Sequence, residues 1–262
     1  MPPTPLRFEY KRVDDCIICT DVYLPSQSQI KGPKCPVVLG IHGGAFMLGS
    51  SSMVNADQID DCLSRGWILL SLDHRLCPQV DIFAGPVTDC RDALAWVYDG
   101  GLEKALKGTE EGKQYEIDHD RVVAFGTSSG GTLALSLGFS VPRPVAAILN
   151  LYGATHFTHP FWSQPLPHVK PPPCPEDLMN SVYHESPIPT QGPPPRVSFA
   201  LTQIHKGTVL DACMPSKAFE KIDACLNVTD AFPPTIVVHG DADTMVPKYL
   251  SEKLFEELKA KG

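Results

Sequence analysis

Positive charge is scarce in this sequence. Lysine and arginine number 22 against 30 aspartate and glutamate, a net charge of −8. No basic stripe interrupts that balance, so a nucleic-acid backbone, which needs clustered cations, is excluded as a partner. Long apolar runs are missing as well. No window reaches the roughly 18 consecutive apolar residues of a membrane-spanning helix, and the opening MPPTPLRFEYKRVDD lacks the apolar core of a secretory leader. The expectation is a cytoplasmic protein with no membrane span, in which the sequon Asn227-Val228-Thr229 stays unmodified. The nine cysteines are odd in number and scattered, which fits reduced thiols better than a disulfide framework. Cys16 and Cys19 form a CxxC with no second pair to complete a zinc site, and no His/Asp/Cys cluster has ligand spacing. The segment GTSSGG lacks the lysine of a phosphate-binding loop. Neither a metal nor a cofactor is expected.

What is there is an ordinary globular composition, 43% hydrophobic and 20% charged over 262 residues, enough for one large core. LRFEYKRV and CIICTDVYL, separated by Asp14-Asp15, read as an N-terminal antiparallel hairpin. Then short apolar strands (CPVVLGIHGGAF, WILLSLDHRL, RVVAFGTS, PVAAILNLYG, PPTIVVHGDADTMVP) alternate with segments of helical period (VNADQIDDCLSRG, PVTDCRDALAWVYDGGLEKALKG, KYLSEKLFEELKAKG). Strands apolar throughout and alternating with helices predict an α/β fold, a mostly parallel sheet with helices on both faces.

The alternation breaks between Pro160 and Pro195, where twelve of thirty-six residues are proline. Proline removes backbone donors and fixes φ, so this stretch is neither a central strand nor a long helix. It reads either as a surface excursion or, with Phe157, Phe161, Trp162, Leu166 and Val169 in and beside it, as a cap lining a pocket. The expected organisation is one domain over residues 1–262 with a cap or lid insertion at 155–206.

The segment RVVAFGTSSGGTLALSL raises the question of chemistry. A strand that turns into a helix within a few residues crowds its backbone, and Gly126 and Gly130 flanking Ser128 relieve the crowding. The serine hydroxyl is then lifted clear of the sheet, beside the unpaired N–H groups and positive dipole of a helix N-terminus. That makes Ser128 a candidate nucleophile; otherwise the segment is a glycine-rich turn with no chemistry. A nucleophilic serine also needs oxyanion donors, a base and an acid to orient the base. IHGGAF ends an upstream strand, and its successive glycines let backbone N–H groups approach an oxygen, so Gly43, Gly44 and Ser129 are the candidate oxyanion hole.

Four stretches together resemble the α/β-hydrolases of the hormone-sensitive-lipase-like branch, which includes many carboxylesterases. HGGAF resembles the family's His-Gly-Gly-Gly oxyanion motif, DHRLCPQ its Asp-Tyr-Arg-Leu-Ala-Pro-Glu, GTSSGG its Gly-Asp-Ser-Ala-Gly-Gly and HGDADTMVP its acid-bearing loop. The resemblance runs from about residue 36 to 250. It implies an α/β-hydrolase fold, Ser128 as nucleophile, Asp243 rather than Asp241 as triad acid, Gly43, Gly44 and Ser129 as oxyanion donors, and a small apolar ester as substrate. Small fungal proteins of this kind accompany secondary-metabolite pathways, which points to a polyketide-like ester. Ala45, Thr127, Ser129, His74, Cys77 and Gln79 depart from the family's pattern and bear on substrate preference more than on reaction type.

The larger departure is the base. In this fold the triad histidine follows the acid on a loop after a final strand, whereas the nine histidines stand at 42, 74, 119, 156, 159, 168, 184, 205 and 239 and none follows Asp243. Losing the base costs about 10⁶ in kcat and leaves roughly 10³ to 10⁴ over water. His239 and His205 are the candidate substitutes. Three readings follow: a carboxylic-ester hydrolase whose base comes from sequence beyond this chain, a silent binding or scaffold protein that keeps the pocket, and a non-hydrolytic enzyme using the oxyanion hole alone. A sheet edge left open where a final strand would pair favours association of copies into a homo-oligomer.

Overall fold

The computed structural model describes residues 3–190 and 196–261. Seven strands form one sheet: β1 (Leu6–Val13), β2 (Cys16–Tyr23), β3 (Cys35–Ile41), β4 (Ile68–Leu72), β5 (Ile117–Thr127), β6 (Ile148–Leu151) and β7 (Thr235–Val238). Their order is β1-β2-β4-β3-β5-β6-β7. The first hairpin and the β2–β4 pair are antiparallel, and β3, β4, β5, β6 and β7 run parallel, with Leu39 of β3 opposite Leu70 and Ala124. The expected mostly parallel sheet with an N-terminal hairpin is what forms. In the parallel centre every residue of β3 and β4 is buried, which is why these strands show no polar alternation. Cys16 and Cys19, three apart on β2, point to opposite faces of the strand and cannot act as a ligand pair. All nine cysteines are free thiols, and burial pushes Cys62 and Cys225 up to about 11 and about 12.

Among the described residues there are eight α-helices. They are α1 (Ala56–Ser64), α2 (Thr88–Tyr98), α3 (Gly101–Lys107), α4 (Ser129–Leu135), α5 (Glu176–His184), α6 (Arg196–Lys206), α7 (Val209–Cys213) and α8 (Lys248–Lys261). Of these, α1 to α4 and α8 match the sequence pattern, while α5, α6 and α7 are not expected from it. Asn55 caps α1 by accepting from the Asp57 N–H, and Gln58 closes the box by accepting from the Asn55 N–H. The long helical period at 86–108 is divided into α2 and α3 because Gly100 takes a left-handed conformation between them.

Helices lie on both faces of the sheet, but unequally. One face meets α2, α3, α4 and α8 in the main core, which includes Leu94, Val97, Leu102, Leu133 and Leu254. The other meets α1, whose Ile59 and Leu63 pack on Tyr23, Val38, Leu69 and Phe125. Among its described residues the proline-rich stretch holds α5 and one 3₁₀ turn at Pro160–Ser163, so its regular structure there is short, as proline content requires. Expectation and structure differ most at β7. PPTIVVHG reads as a buried strand, yet β7 is the edge of the sheet, and Ile236 is 65% exposed.

The DHR motif after β4 is held by buried charges. Asp89 of α2 is fully buried and takes Arg75 twice, Nη2 at 2.7 Å and Nε at 3.0 Å, together with Lys11 Nζ of β1 at 2.6 Å. One carboxylate thereby ties the first strand, the loop after β4 and α2 to each other. Asp73, also fully buried, accepts the Ser51 N–H at 2.7 Å and pairs with Arg7.

Candidate active site

Ser128 stands between β5 and α4 with φ 52° and ψ −124°, a left-handed conformation that costs a non-glycine residue about 1–3 kcal/mol and persists only where its surroundings enforce it. Here they do. A Cβ on Gly130 would lie 2.2 Å from the Ile41 carbonyl oxygen and 2.4 Å from that of His42, so α4 is pressed directly onto the end of β3. Gly130→Ala is expected to lose about 1–3 kcal/mol of stability in urea unfolding, because the atoms it meets are backbone and cannot swing aside. An unchanged midpoint would show that the elbow tolerates the methyl group.

The HGGAF loop reaches Ser128 from the side. A side chain on Gly43 would lie 2.8 Å from the Thr127 carbonyl oxygen and 3.2 Å from the Ser128 Cβ, which leaves only glycine room beside the serine. Ala45 and Phe46 both hold positive φ, 53° and 65°, and Gly44 accepts the Met47 and Leu48 N–H groups at 3.0 and 2.9 Å. The loop is thus a tight, strained turn, with Ala45, Ser128 and Ser129 lining one pocket of about 90 Å³.

Behind this loop His42 and His74 stack with ring centroids 4.4 Å apart. Nδ1 of His42 lies 2.7 Å from the Gly43 carbonyl, and the Nε2 atoms of both rings are buried with no partner among the described residues. Burial lowers both groups below the usual 6.5, His74 the further because the neighbouring His42 ring opposes its charge. A histidine held neutral in the fold takes its proton first in the unfolded chain, so stability is lost as pH falls below about 6.5. The slope can reach at most about 1.4 kcal/mol per pH unit for each ring. Melting at pH 7 and pH 5.5 should show this drop, and His74→Phe should shrink it. A drop of the same size in His74→Phe would remove His74 from the account.

The acid loop forms the opposite wall. Asp243 Oδ1 accepts the N–H groups of Met245 and Val246 at 2.8 and 2.9 Å, and Met245 and Val246 line the Ser128 pocket. Asp241 instead faces solvent, 88% exposed and paired with Lys248 at 3.0 Å. The wall also includes Phe161, Trp162, Gln164, Leu166 and Ile204. Phe161 packs with Val246 and Leu250 in a small separate core, which fixes the proline-rich stretch to the acid loop. Trp162 is held by its Nε1–H, shared between the Thr155 and His156 carbonyls at 3.2 Å each.

The histidines are placed elsewhere. In His239 both ring nitrogens are engaged, Nδ1 with Ser251 Oγ at 2.7 Å and Nε2 with the Val246 carbonyl at 2.6 Å and Asp243 Oδ2 at 3.3 Å. His205 sits on α6 with Nδ1 2.9 Å from the Val169 carbonyl, and its neighbours Ile204 and Gly207, not His205, line the pocket. Of the residues that the sequence singled out, Ser128, Ser129, Phe161, Trp162 and Leu166 line the pocket, whereas Gly43, Gly44, Asp243, Phe157 and Val169 are not among its lining residues, and Met245, Val246 and Gln164 were missed. The acid loop's own pattern was the signal for Met245 and Val246, and no local signal marks Gln164. Among the described residues no three His, Cys, Asp or Glu side chains gather as a metal site, and no helix is long and apolar enough to cross a membrane.

Comparison with known proteins places this architecture. A family model named BD-FAE matches residues 20–169. The chain is 30% identical to a non-reducing polyketide synthase (ausA) of Aspergillus calidoustus, over 100% of this chain and 12% of that protein. It spans only 6–12% of the length of the curated relatives it matches. Among solved structures, a Staphylococcus aureus protein of unknown function superimposes with a TM-score of 0.73 at 16% identity, covering 96% of this chain and 85% of that one. The propionate-bound esterase Est2 of Thermogutta terrifontis does so with 0.62 at 18%, covering 99% and 80%. The sheet order, the strained serine corner and the matching family model lead to one conclusion: the chain belongs to the BD-FAE family and has the α/β-hydrolase fold.

Proposed function

We propose that this chain is an acyl-transfer unit of the serine-hydrolase kind, acting on a carboxylic ester or thioester. Ser128 Oγ attacks the acyl carbon, the C–O or C–S bond to the leaving group breaks, and the serine proton passes by way of a base to the departing alcohol or thiol. Water then cleaves the serine ester by the reverse proton route. Gly43, Gly44 and Ser129 donate their N–H groups to the oxyanion, and Asp243 orients the base. The observation that carries this reading is the left-handed backbone of Ser128, at a helix N-terminus in a pocket shared with Ala45, Met245 and Val246. Strain of this kind clusters at reacting groups, and here it recurs at Ala45 and Phe46 in the loop beside Ser128.

The base is supplied by polypeptide outside these 262 residues, since both nitrogens of His239 are engaged and His205 does not line the pocket. The segment 155–206 acts as the cap, contributing Phe161, Trp162, Gln164, Leu166 and Ile204 to the wall. An aromatic, mostly apolar wall suits a polyketide-type acyl group, in keeping with the polyketide synthases to which the chain is similar. The test is hydrolysis of p-nitrophenyl acetate and butyrate with and without imidazole, for the chain and for Ser128→Ala. One observation favours a second reading, silent binding: Ser128 Oγ has no histidine hydrogen-bonded to it among the described residues. That reading expects an apolar ester to bind without turnover under every condition.

A further inference from the structure

Among the described residues two arginines are buried, Arg75 and Arg196. Arg75 meets the fully buried carboxylate of Asp89. Arg196, the first residue of α6, is the more buried of the two, yet its carboxylate partner Glu185 lies at the rim, 2.8 Å from Nε with its side chain 34% exposed. The other nitrogens of Arg196 turn inward. Nη1 donates to the Met47 carbonyl at 3.2 Å and to the Cys77 carbonyl at 3.0 Å, and Nη2 donates to Gln79 Oε1. A buried ion pair is weak grounds for stability, because desolvation offsets most of the attraction. What this one adds is geometry.

The acceptors tie the proposed cap to the loop beside Ser128. Met47 follows Ala45 and Phe46, whose φ values of 53° and 65° make them the strained part of that loop. Met47 is fully buried, and its carbonyl takes its hydrogen bond from Arg196. The Phe46 carbonyl takes the Cys77 N–H at 2.9 Å, so residues 75–79 stand between the loop and the cap. On the cap side the Leu76 N–H donates to the Ile188 carbonyl at 2.9 Å, and Gln79 Nε2 donates to the Val182 carbonyl. Arg196 crosses this stack and bonds every layer of it: Glu185 just after α5, Cys77 and Gln79 in the middle, Met47 in the loop. A guanidinium spreads its donors over three nitrogens in a rigid plane and reaches all four groups at once, whereas lysine has a single nitrogen.

We propose that Arg196 is a positioning residue for acyl transfer: it locks the cap onto the oxyanion loop and holds Ala45 and Phe46 in the left-handed turn that aims the Gly43 and Gly44 N–H groups at the acyl oxygen. This role rests on the proposed function, which supplies the oxyanion to be bound. A left-handed backbone persists only where its surroundings enforce it. Freed at Met47, the loop relaxes toward ordinary φ and carries the donors away from the oxyanion. Arg196 itself does not line the Ser128 pocket, so it acts through the loop and through α6, whose Ile204 is a wall residue. One side chain thereby sets both the wall over the acyl group and the donors beside it, and the oxyanion hole is complete only while the cap is seated.

The test compares the 262-residue chain with Arg196→Met and Arg196→Lys, in imidazole-supported hydrolysis of p-nitrophenyl butyrate and in amide hydrogen exchange. Arg196→Met is expected to lower kcat about 10- to 100-fold, the penalty of misplacing a reacting group by about 1 Å, while KM stays within about threefold. Exchange at the Met47 and Leu48 N–H groups, which donate to the Gly44 carbonyl, should speed at least about tenfold while β3 and β5 keep their protection. Arg196→Lys keeps the charge beside Glu185 and carries the same test should the methionine variant melt too low to assay; both readings are expected to move in the same direction. A rise in KM at unchanged kcat, with wild-type exchange at Met47 and Leu48, would mean that Arg196 fixes the cap alone and would overturn the proposal. Exchange that speeds equally in β3 and β5 would overturn it as well, by showing a general loss of stability. Wild-type kcat and exchange in both variants would do the same. If the unsubstituted chain shows no turnover dependent on Ser128, the proposed function falls separately, and exchange at Met47 and Leu48 decides alone whether Arg196 holds the loop.

Discussion

Supplied with imidazole, the chain is expected to release p-nitrophenol from p-nitrophenyl butyrate in a manner that depends on Ser128. Without imidazole it should run about 10⁶ below a serine hydrolase with a complete triad, since the loss of the base alone costs that much. What remains, roughly 10³ to 10⁴ over water, comes from the oxyanion donors and from binding. Imidazole small enough to enter beside Met245 and Val246, which line the Ser128 pocket, takes the serine proton that no described histidine is placed to take. Free imidazole also cleaves activated esters in solution, and Ser128→Ala with imidazole measures that background. Two results would end the proposal in its present form. Full turnover without imidazole would mean that a histidine already in the chain serves as base, and His205→Ala and His239→Ala would identify it. No rise over Ser128→Ala at any imidazole concentration would leave a binding protein on a hydrolase fold. Extending the chain with a histidine-bearing final strand and loop from a similar protein gives the same test with the base held in place.

Asp89→Ala should be among the most destabilising single substitutions in the molecule. The carboxylate is fully buried, and removing it strands Arg75, whose side chain is 9% exposed, and deprives Lys11 of one of its two carboxylates. Leaving a buried charge without its partner costs about 3–5 kcal/mol. For a chain of this size that is a fall of roughly 10 °C in melting temperature. The effect should be structural, because Asp89 lies on α2 and does not line the Ser128 pocket. Arg75→Met with Asp89→Leu, which removes both charges and refills the space, should recover part of the loss. A melting temperature within about 2 °C of the wild type for Asp89→Ala would show that water or Asp92 replaces the lost carboxylate.

Much of the fold is legible from local pattern. The Asn55–Gln58 capping box, the hairpin turn at Asp14-Asp15 and the continuous apolar runs of β3 and β4 each specify a backbone conformation through neighbours a few residues away. The serine corner is of the same kind. Gly126 and Gly130 around Ser128 announce a strand turning at once into a helix, and the left-handed Ser128 is the backbone that such a turn forces. The resemblance in HGGAF, DHRLCPQ, GTSSGG and HGDADTMVP added the fold, and a family model matching residues 20–169 supports it.

Other features depend on which surfaces meet across the molecule. Local pattern cannot tell a strand covered on both faces from an edge strand with the same residues, so TIVV reads as buried while Ile236 and Val238 stand exposed. Packing, not spacing, puts Asp241 in solvent beside Lys248 and Asp243 under the N–H groups of Met245 and Val246. Packing also commits both nitrogens of His239 to Ser251 and Val246, partners supplied by α8 and the loop before it. The sequence by itself determined the seven strands, the helices α1 to α4 and α8 that alternate with them, the hairpin and the serine corner, because each is encoded within a few residues. Only the tertiary structure decided which aromatic side chains and which residues of the acid loop line the serine's pocket, and which strand stands at the sheet edge. Those outcomes are set by long-range contacts among α8, the proline-rich stretch and the sheet, and a stretch of sequence does not carry the identity of the surface that will cover it.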